Sequence, residues 1–244
     1  MPTAATVLPV AMGRQPTDVS CGPTCLHAVY DYYGLRVSTR QLIRTVPSLD
    51  EGGTLGVMLA QDALARGFDV TIVTWNLRIF DPTWFGSEAS PLAERLRQRA
   101  RARRSNQKLR LAAEAYADYV EAGGTVSLRD LTASLLRDTL KRGVPILTGL
   151  SATFLYREMR QRPTDEVPDD LRGEPVGHFV VLSGYDPRRR TVLVTDPMHP
   201  NPLSDTHTYP VPIDRLVGAI YLGVLTYDAN LVIIERRADG HADC

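Results

Sequence analysis

The sequence predicts an α+β chain in which helices come early and antiparallel strands come late. Three observations carry this reading. Leu26, Val29, Tyr30 and Tyr33 repeat at i, i+3, i+4 and i+7, the stripe of an amphipathic helix, and Gly34 ends it. Residues 176–185 and 191–196 are apolar runs around the turn Asp186-Pro187-Arg188-Arg189-Arg190, which reads as an antiparallel hairpin. After residue 144 further strand-like runs follow one another, which argues against a parallel wound sheet.

The first helix opens on Ser20-Cys21-Gly22-Pro23. Proline is tolerated in a first turn because no amide donor is needed there, so Cys21 falls at the helix N-terminus. A second helix is predicted from about Leu55 to Arg66, stopped by Gly67, and Phe68 to Trp75 then alternates as a strand. Residues 76–126 differ in character. They hold a loop punctuated by Pro and Gly (Asp81 to Pro91), a strongly basic helical stretch (Glu94 to Arg110) and an Ala-rich continuation to Gly123-Gly124. Ser127-Leu128-Arg129-Asp130 looks like a capping box, predicting a helix to Arg142, and Val144 to Leu150 reads as a buried strand. Beyond a polar, acidic loop (Thr164 to Glu174) and the hairpin come a strand over Thr206 to Val211 and a short helix near Asp214 to Val217. A final strand pair is predicted at Ala219 to Thr226 and Asn230 to Glu235.

Composition narrows the function classes. With 244 residues, 43% apolar and 23% charged, the chain has ordinary globular usage, which excludes disordered and fibrous classes. Lys plus Arg and Asp plus Glu both number 28, so the basic excess of a nucleic-acid or anionic-membrane binder is absent. The arginines between 95 and 110 lie on all sides of their helical stretch, the pattern of a solvated surface, and argue for no nucleic-acid partner. Cys21, Cys25 and Cys244 are too few for a disulfide scaffold and point to a reducing compartment. The first fourteen residues lack a secretory pattern, and no run approaches the roughly 18 apolar residues of a membrane span. The expectation is a cytoplasmic protein with no membrane partner.

Four residues suggest chemistry. A thiol at a helix N-terminus meets the positive end of the macrodipole, an arrangement that favours a thiolate nucleophile. Cys21 has that position, whereas Cys25, one turn deeper, reads as core. A thiolate also needs a base, and the base an orienting acceptor. His178 begins the strand Phe179 to Leu182, and Asp196 closes the returning strand. If Tyr185 pairs with Thr191, then Asp196 faces Val180 and becomes a same-face diagonal neighbour of His178, about 7–8 Å away at the backbone. A slip of one residue would send the two to opposite faces. His199 and His207 become competing bases if the register differs, while His27 and His241 lie elsewhere. Gln15, six residues before Cys21, is near enough in the chain to join the Cys21 amide as an oxyanion donor.

The runs Gln15-Pro-Thr-Asp-Val-Ser-Cys21-Gly-Pro-Thr-Cys-Leu, Tyr32-Tyr33-Gly34, Gly177-His178-Phe-Val-Val-Leu and Val194-Thr-Asp196-Pro197 resemble the C39 cysteine peptidases. The resemblance implies a papain-like fold, its Cys-bearing N-terminal helix packed on an antiparallel sheet that carries His and Asp. It also implies a triad of Cys21, His178 and Asp196, with Gln15 in the oxyanion hole. One such domain is expected over residues 1–244, with 76–126 as a basic helical insertion. The implied activity is a thiol hydrolase acting on a peptide or protein through an acyl-cysteine, with no metal or organic cofactor. Acyl transfer to an amine at the same site, and a non-catalytic peptide-binding module of the same fold, are the alternatives. Neither substrate nor oligomeric state is legible.

Overall fold

In the run Phe179-Val180-Val181-Leu182 every side chain is buried. Successive strand residues point to opposite faces, so such a run requires a sheet covered on both sides. The computed structural model, which describes residues 4–49, 52–86 and 91–237, has that arrangement. In chain order the elements are β1 (Thr6–Val7), α1 (Cys21–Tyr32), α2 (Thr39–Thr45), α3 (Gly56–Ala65), β2 (Phe68–Thr74), α4 (Leu92–Ala102), α5 (Gln107–Glu121) and β3 (Thr125–Ser127). There follow α6 (Ala133–Lys141), β4 (Ile146–Ser151), α7 (Ala152–Tyr156), β5 (Gly177–Asp186), β6 (Thr191–Thr195), β7 (Thr208–Pro212), α8 (Ile213–Leu222) and β8 (Asn230–Arg236). Three-residue-per-turn helices span Pro82–Phe85 and Gly223–Thr226.

The strands form one sheet in the order β3-β2-β8-β4-β5-β6-β7, with β1 pairing β5. All neighbours are antiparallel except β2 and β3, whose pairing is parallel. On one face Phe179 and Val181 of β5 and Val232 and Ile234 of β8 join the apolar sides of α1, α3, α4 and α5. On the other, Val180, Leu182, Leu231 and Ile233 pack with α6, α7 and α8. Late helices therefore cover the second face, so early helices and late strands describe only part of the layout.

Local departures from the expected elements have identifiable causes. The helix expected from Ser127 begins at Ala133, where the Thr132 hydroxyl accepts from the Leu135 amide; Ser127 itself pairs with Val73 in β3. The basic stretch breaks at 103–106, where the Asn106 side chain caps a new helix by accepting from the Leu109 amide. Ala219 to Thr226 is not a strand. Ile213, Leu216, Ala219 and Ile220 are buried on one helical stripe of α8, and apolar runs this short satisfy both periods. The short elements β1, α2 and α7 were not foreseen, although the Ser38 cap of α2 is readable in the sequence.

Arg97 reaches Asp118 at 2.6 Å and Glu121 at 2.8 Å, so charges of α4 are met within its own hairpin with α5. In the acidic loop, Asp165 pairs with Arg162. Cys244 and His241 lie outside the described residues, as does part of the 81–91 loop. Among the described residues no helix is long and apolar enough to cross a membrane.

Candidate active site

The hairpin places its two polar ends through a compensated register. At the turn Asp186 pairs with Thr191 and Tyr185 with Val192, one residue away from the expected pairing. A bulge between Leu182 and Gly184 absorbs the offset, and beyond it Leu182 pairs with Val194 and Val181 with Thr195. The expected register is thereby restored where it matters. His178 Nε2 lies 2.8 Å from Asp196 Oδ1.

Asp196 is fully buried and held from several directions. Its Oδ1 also accepts from the Met198 amide at 2.9 Å, and its Oδ2 accepts from the hydroxyls of Tyr156 at 2.6 Å and Tyr209 at 2.5 Å. Burial alone would raise its pKa, but the bonds from His178, Tyr156 and Tyr209 outweigh burial and hold the carboxyl below the usual carboxylate range. The same burial drives both tyrosine hydroxyls far above their ordinary range, with the neighbouring carboxylate adding to it. They are donors at any pH the protein would meet.

His178 is 3% exposed. Burial disfavours its charged form, yet the hydrogen bonds to Asp196 and to Cys21, with the negative charge on both, lift its pKa to about 10. With Nε2 committed to Asp196, Nδ1 is the ring nitrogen left for the Cys21 thiol. Cys21 sits in the first turn of α1, which packs against β5. No side chain caps this helix end: the Ser20 hydroxyl donates to the Thr17 carbonyl, and Pro23 has no amide hydrogen. The backbone donors beside the sulfur are thus not taken up by a cap. Gly22 allows the approach, since a Cβ there would lie 2.7 Å from Thr54 Cγ2 and 3.3 Å from the Phe179 ring. Cys25 is fully buried, its Sγ donating to the Phe179 carbonyl at 3.2 Å, and burial pushes its thiol well up. It is core.

Cys21 and His178 open onto a cleft of about 550 Å³, lined also by Gly177, Met198, Asp228 and Lys108 of α5. Gln15 is not in that lining. It is 8% exposed and anchored by its main-chain N–H, which donates to the Pro197 carbonyl at 2.9 Å, in a neighbouring pocket that shares Asp18 and Met198 with the cleft. Its Nε2 makes a long 3.5 Å contact to the Asp18 carbonyl, and its buried Oε1 has no partner among the described residues.

Of the competing histidines, His207 places Nδ1 at 2.7 Å from the Asp196 main-chain carbonyl and its ring against His199, with centroids 4.5 Å apart. Neither meets the Asp196 carboxylate. His27 lies within α1. Sequence reasoning missed Tyr156, Tyr209 and Asp228. Tyr209 had a faint signal as an inward position of an alternating strand; Tyr156 and Asp228 had none. Among the described residues no group of three or more His, Cys, Asp and Glu side chains could hold a metal ion.

A family model described as "Peptidase_C39 like family" matches residues 7–221. Among solved structures the chain is similar to one described as a C39-like peptidase from Bacillus anthracis, with 17% identity, 96% of this chain and 99% of that chain covered, and a TM-score of 0.52. It is also similar to xylellain, a cysteine protease from Xylella fastidiosa, at 14% identity, 97% and 87% coverage and TM-score 0.48. A third similarity is to the peptidase domain of Streptococcus ComA, a bi-functional ABC transporter, at 12% identity, 93% and 99% coverage and TM-score 0.43. A search of the curated proteins finds no match.

Proposed function

Because the chain belongs to the Peptidase_C39 like family, we propose that it is a thiol hydrolase that cleaves an amide bond of a peptide or protein. The observation that supports this most directly is that a buried His178, hydrogen-bonded to Asp196, shares the wall of one open cleft with Cys21. In this reading the Cys21 thiolate attacks the carbonyl carbon while the Cys21 amide, with Gln15, stabilises the oxyanion. His178 gives its proton to the leaving amine as the acyl-cysteine forms. Neutral His178 then takes a proton from the attacking water; the tetrahedral intermediate collapses, the C–S bond breaks, and the acid and the Cys21 thiolate are released beside the cationic His178. Asp196 keeps the imidazole oriented and stabilises its cationic form.

Residues 1–244 then constitute one peptidase domain, and α4–α5 an insertion into it that reaches the cleft through Lys108. Replacement of Cys21 by Ala tests the reading. The variant should melt within a few degrees of the parent, lose alkylation by iodoacetamide at this position and lose turnover of a fluorogenic peptide library. Turnover equal to the parent's would overturn the assignment of Cys21.

A further inference from the structure

Asp228 is a buried acid that the chemistry above leaves unused. It lies between the Gly223–Thr226 turn and β8, and its neighbours Tyr227 and Ala229 adopt left-handed backbone angles, φ 70° and 61°. Non-glycine residues hold such angles only where surrounding contacts impose them. Here the Asp228 amide donates to the Gly223 carbonyl at 3.0 Å, the Ala229 carbonyl accepts from the Trp75 amide at 2.9 Å, and the Tyr227 hydroxyl donates to Asn106 Oδ1 at 3.2 Å. The carboxyl fills the space a side chain would need at Gly149, where a Cβ would come 2.7 Å from Asp228 Cβ and Cγ.

Three observations point to a missing counter-group. Asp228 is only 4% exposed, it lines the cleft that holds Cys21 and His178, and its Oδ1 has no hydrogen-bond partner among the described residues. Burial pushes the carboxyl up to about 7, although the Gly56 amide, the Lys108 charge and the Asn230 amide all favour its ionised form. The carboxylate is under-compensated, so an added cation gains energy there. Among the described lining residues the carboxyls of Asp18, Glu166 and Asp228 outnumber the cations Lys108 and His178.

Position makes the group useful to a substrate. Gly149 pairs with both Asn230 of β8 and Phe179 of β5, next to His178. The Asp228 carboxyl, packed on Gly149 of β4, thus lies about one strand spacing, roughly 5 Å, from the neighbouring strand that carries His178. A long side chain one or two residues from the scissile bond of an extended peptide covers that distance.

We infer that Asp228 forms the floor of a specificity subsite for a basic side chain, Arg or Lys, of the peptide substrate. The inference rests on the peptidase reading above for the placement of the scissile bond. A guanidinium or ammonium group donates to the carboxyl from the cleft and adds a cation to a lining in which carboxyls predominate.

The test uses fluorescein-labelled acetyl tetrapeptide amides in an alanine background, each carrying Arg, Leu, Glu or the uncharged arginine isostere citrulline at one position. Binding to full-length Cys21→Ala protein is read by fluorescence polarisation, and alkylation of Cys21 in the parent by the same peptides as acyloxymethyl ketones is read by intact mass. At one position Arg should bind and react about tenfold better than citrulline, Leu or Glu, and Asp228→Asn should reduce that ratio to below twofold. Equal binding of Arg and citrulline at every position overturns the subsite, and does so without any variant at Asp228. Survival of the tenfold ratio in a folded Asp228→Asn protein overturns the role of this carboxyl. Absence of alkylation by every ketone, together with selective binding of the Arg peptide, would remove the peptidase reading and leave the cation site standing.

Discussion

Removing one tyrosine hydroxyl isolates the contribution of the cage around Asp196. The carboxylate is fully buried and takes donors from Tyr156 and Tyr209 on Oδ2 and from His178 and Met198 on Oδ1. Tyr209→Phe deletes one oxygen, leaves the ring volume in place and orphans no donor on the tyrosine side. A hydrogen bond to a charged group contributes about 1.5–3 kcal/mol. The variant should therefore lose about 2 kcal/mol in urea unfolding at pH 7, or about 4–8 °C in Tm for a chain of this size. The loss should depend on pH with a defined sign. Asp196 has a depressed pKa in the folded state, so its stabilisation is present above the ordinary value of about 3.9 and is lost as pH falls through the folded value. Because the tyrosine acts on the ionised form, its contribution should shrink through the same acid window toward the ~1 kcal/mol of a neutral hydrogen bond. Adding Tyr156→Phe leaves Oδ2 with neither hydroxyl donor, and the double variant should lose more than the sum of the single losses. A loss under about 0.5 kcal/mol at pH 7 would refute the view that Asp196 is held ionised by these hydroxyls.

Three further outcomes follow from other contacts. His178 has its folded pKa raised to about 10, so its contribution to stability is full below the unfolded value of about 6.5 and is lost as pH rises toward 10; urea titrations of the parent should show that decline and those of His178→Ala should not. Gly22→Ala puts a methyl 2.7 Å from Thr54 Cγ2 and against Phe179, which should cost about 1–3 kcal/mol and slow iodoacetamide alkylation of Cys21, whereas parent-like stability and alkylation rate would refute the tight approach of α1 to the sheet. Arg97→Ala breaks the pairs to Asp118 and Glu121, but these are largely solvated, so the loss should be under about 1 kcal/mol and should fall further in 0.5 M NaCl; a larger, salt-insensitive loss would contradict a solvated surface role for α4.

The parts of the site that were legible in the sequence are those set by local rules. Pro23 and the stripe from Leu26 to Tyr33 place Cys21 at a helix start, and α1 begins there. The two runs around residues 186–190 place His178 and Asp196 at one end of a hairpin. The bulge has one local signal, the isolated Gly184 within the strand run, but the size of the offset is decided by pairing on both sides of β5. Tyr156 and Asp228 were invisible for a similar reason. Each lies beside a short or irregular segment whose position is fixed by what packs on it, and an isolated polar residue carries no periodicity. The helical stretch from Glu94 was visible as basic and helical, but its break required weighing Asn106 as a cap inside an otherwise continuous pattern. Its approach to the cleft through Lys108 depends on tertiary folding alone.

The bulge between Leu182 and Gly184 separates two registers within one hairpin. Residues on the turn side follow the geometry of the 186–191 connection, while those on the other side are registered by β4, whose pairing with β5 runs from Leu182 to Gly177. A change in turn length can be taken up at this slack point before it reaches His178. The exposed segment around Arg188 and Arg189 is therefore the natural place to insert a tag or a fluorophore, giving a handle on the molecule at the end of the hairpin away from His178 and Asp196.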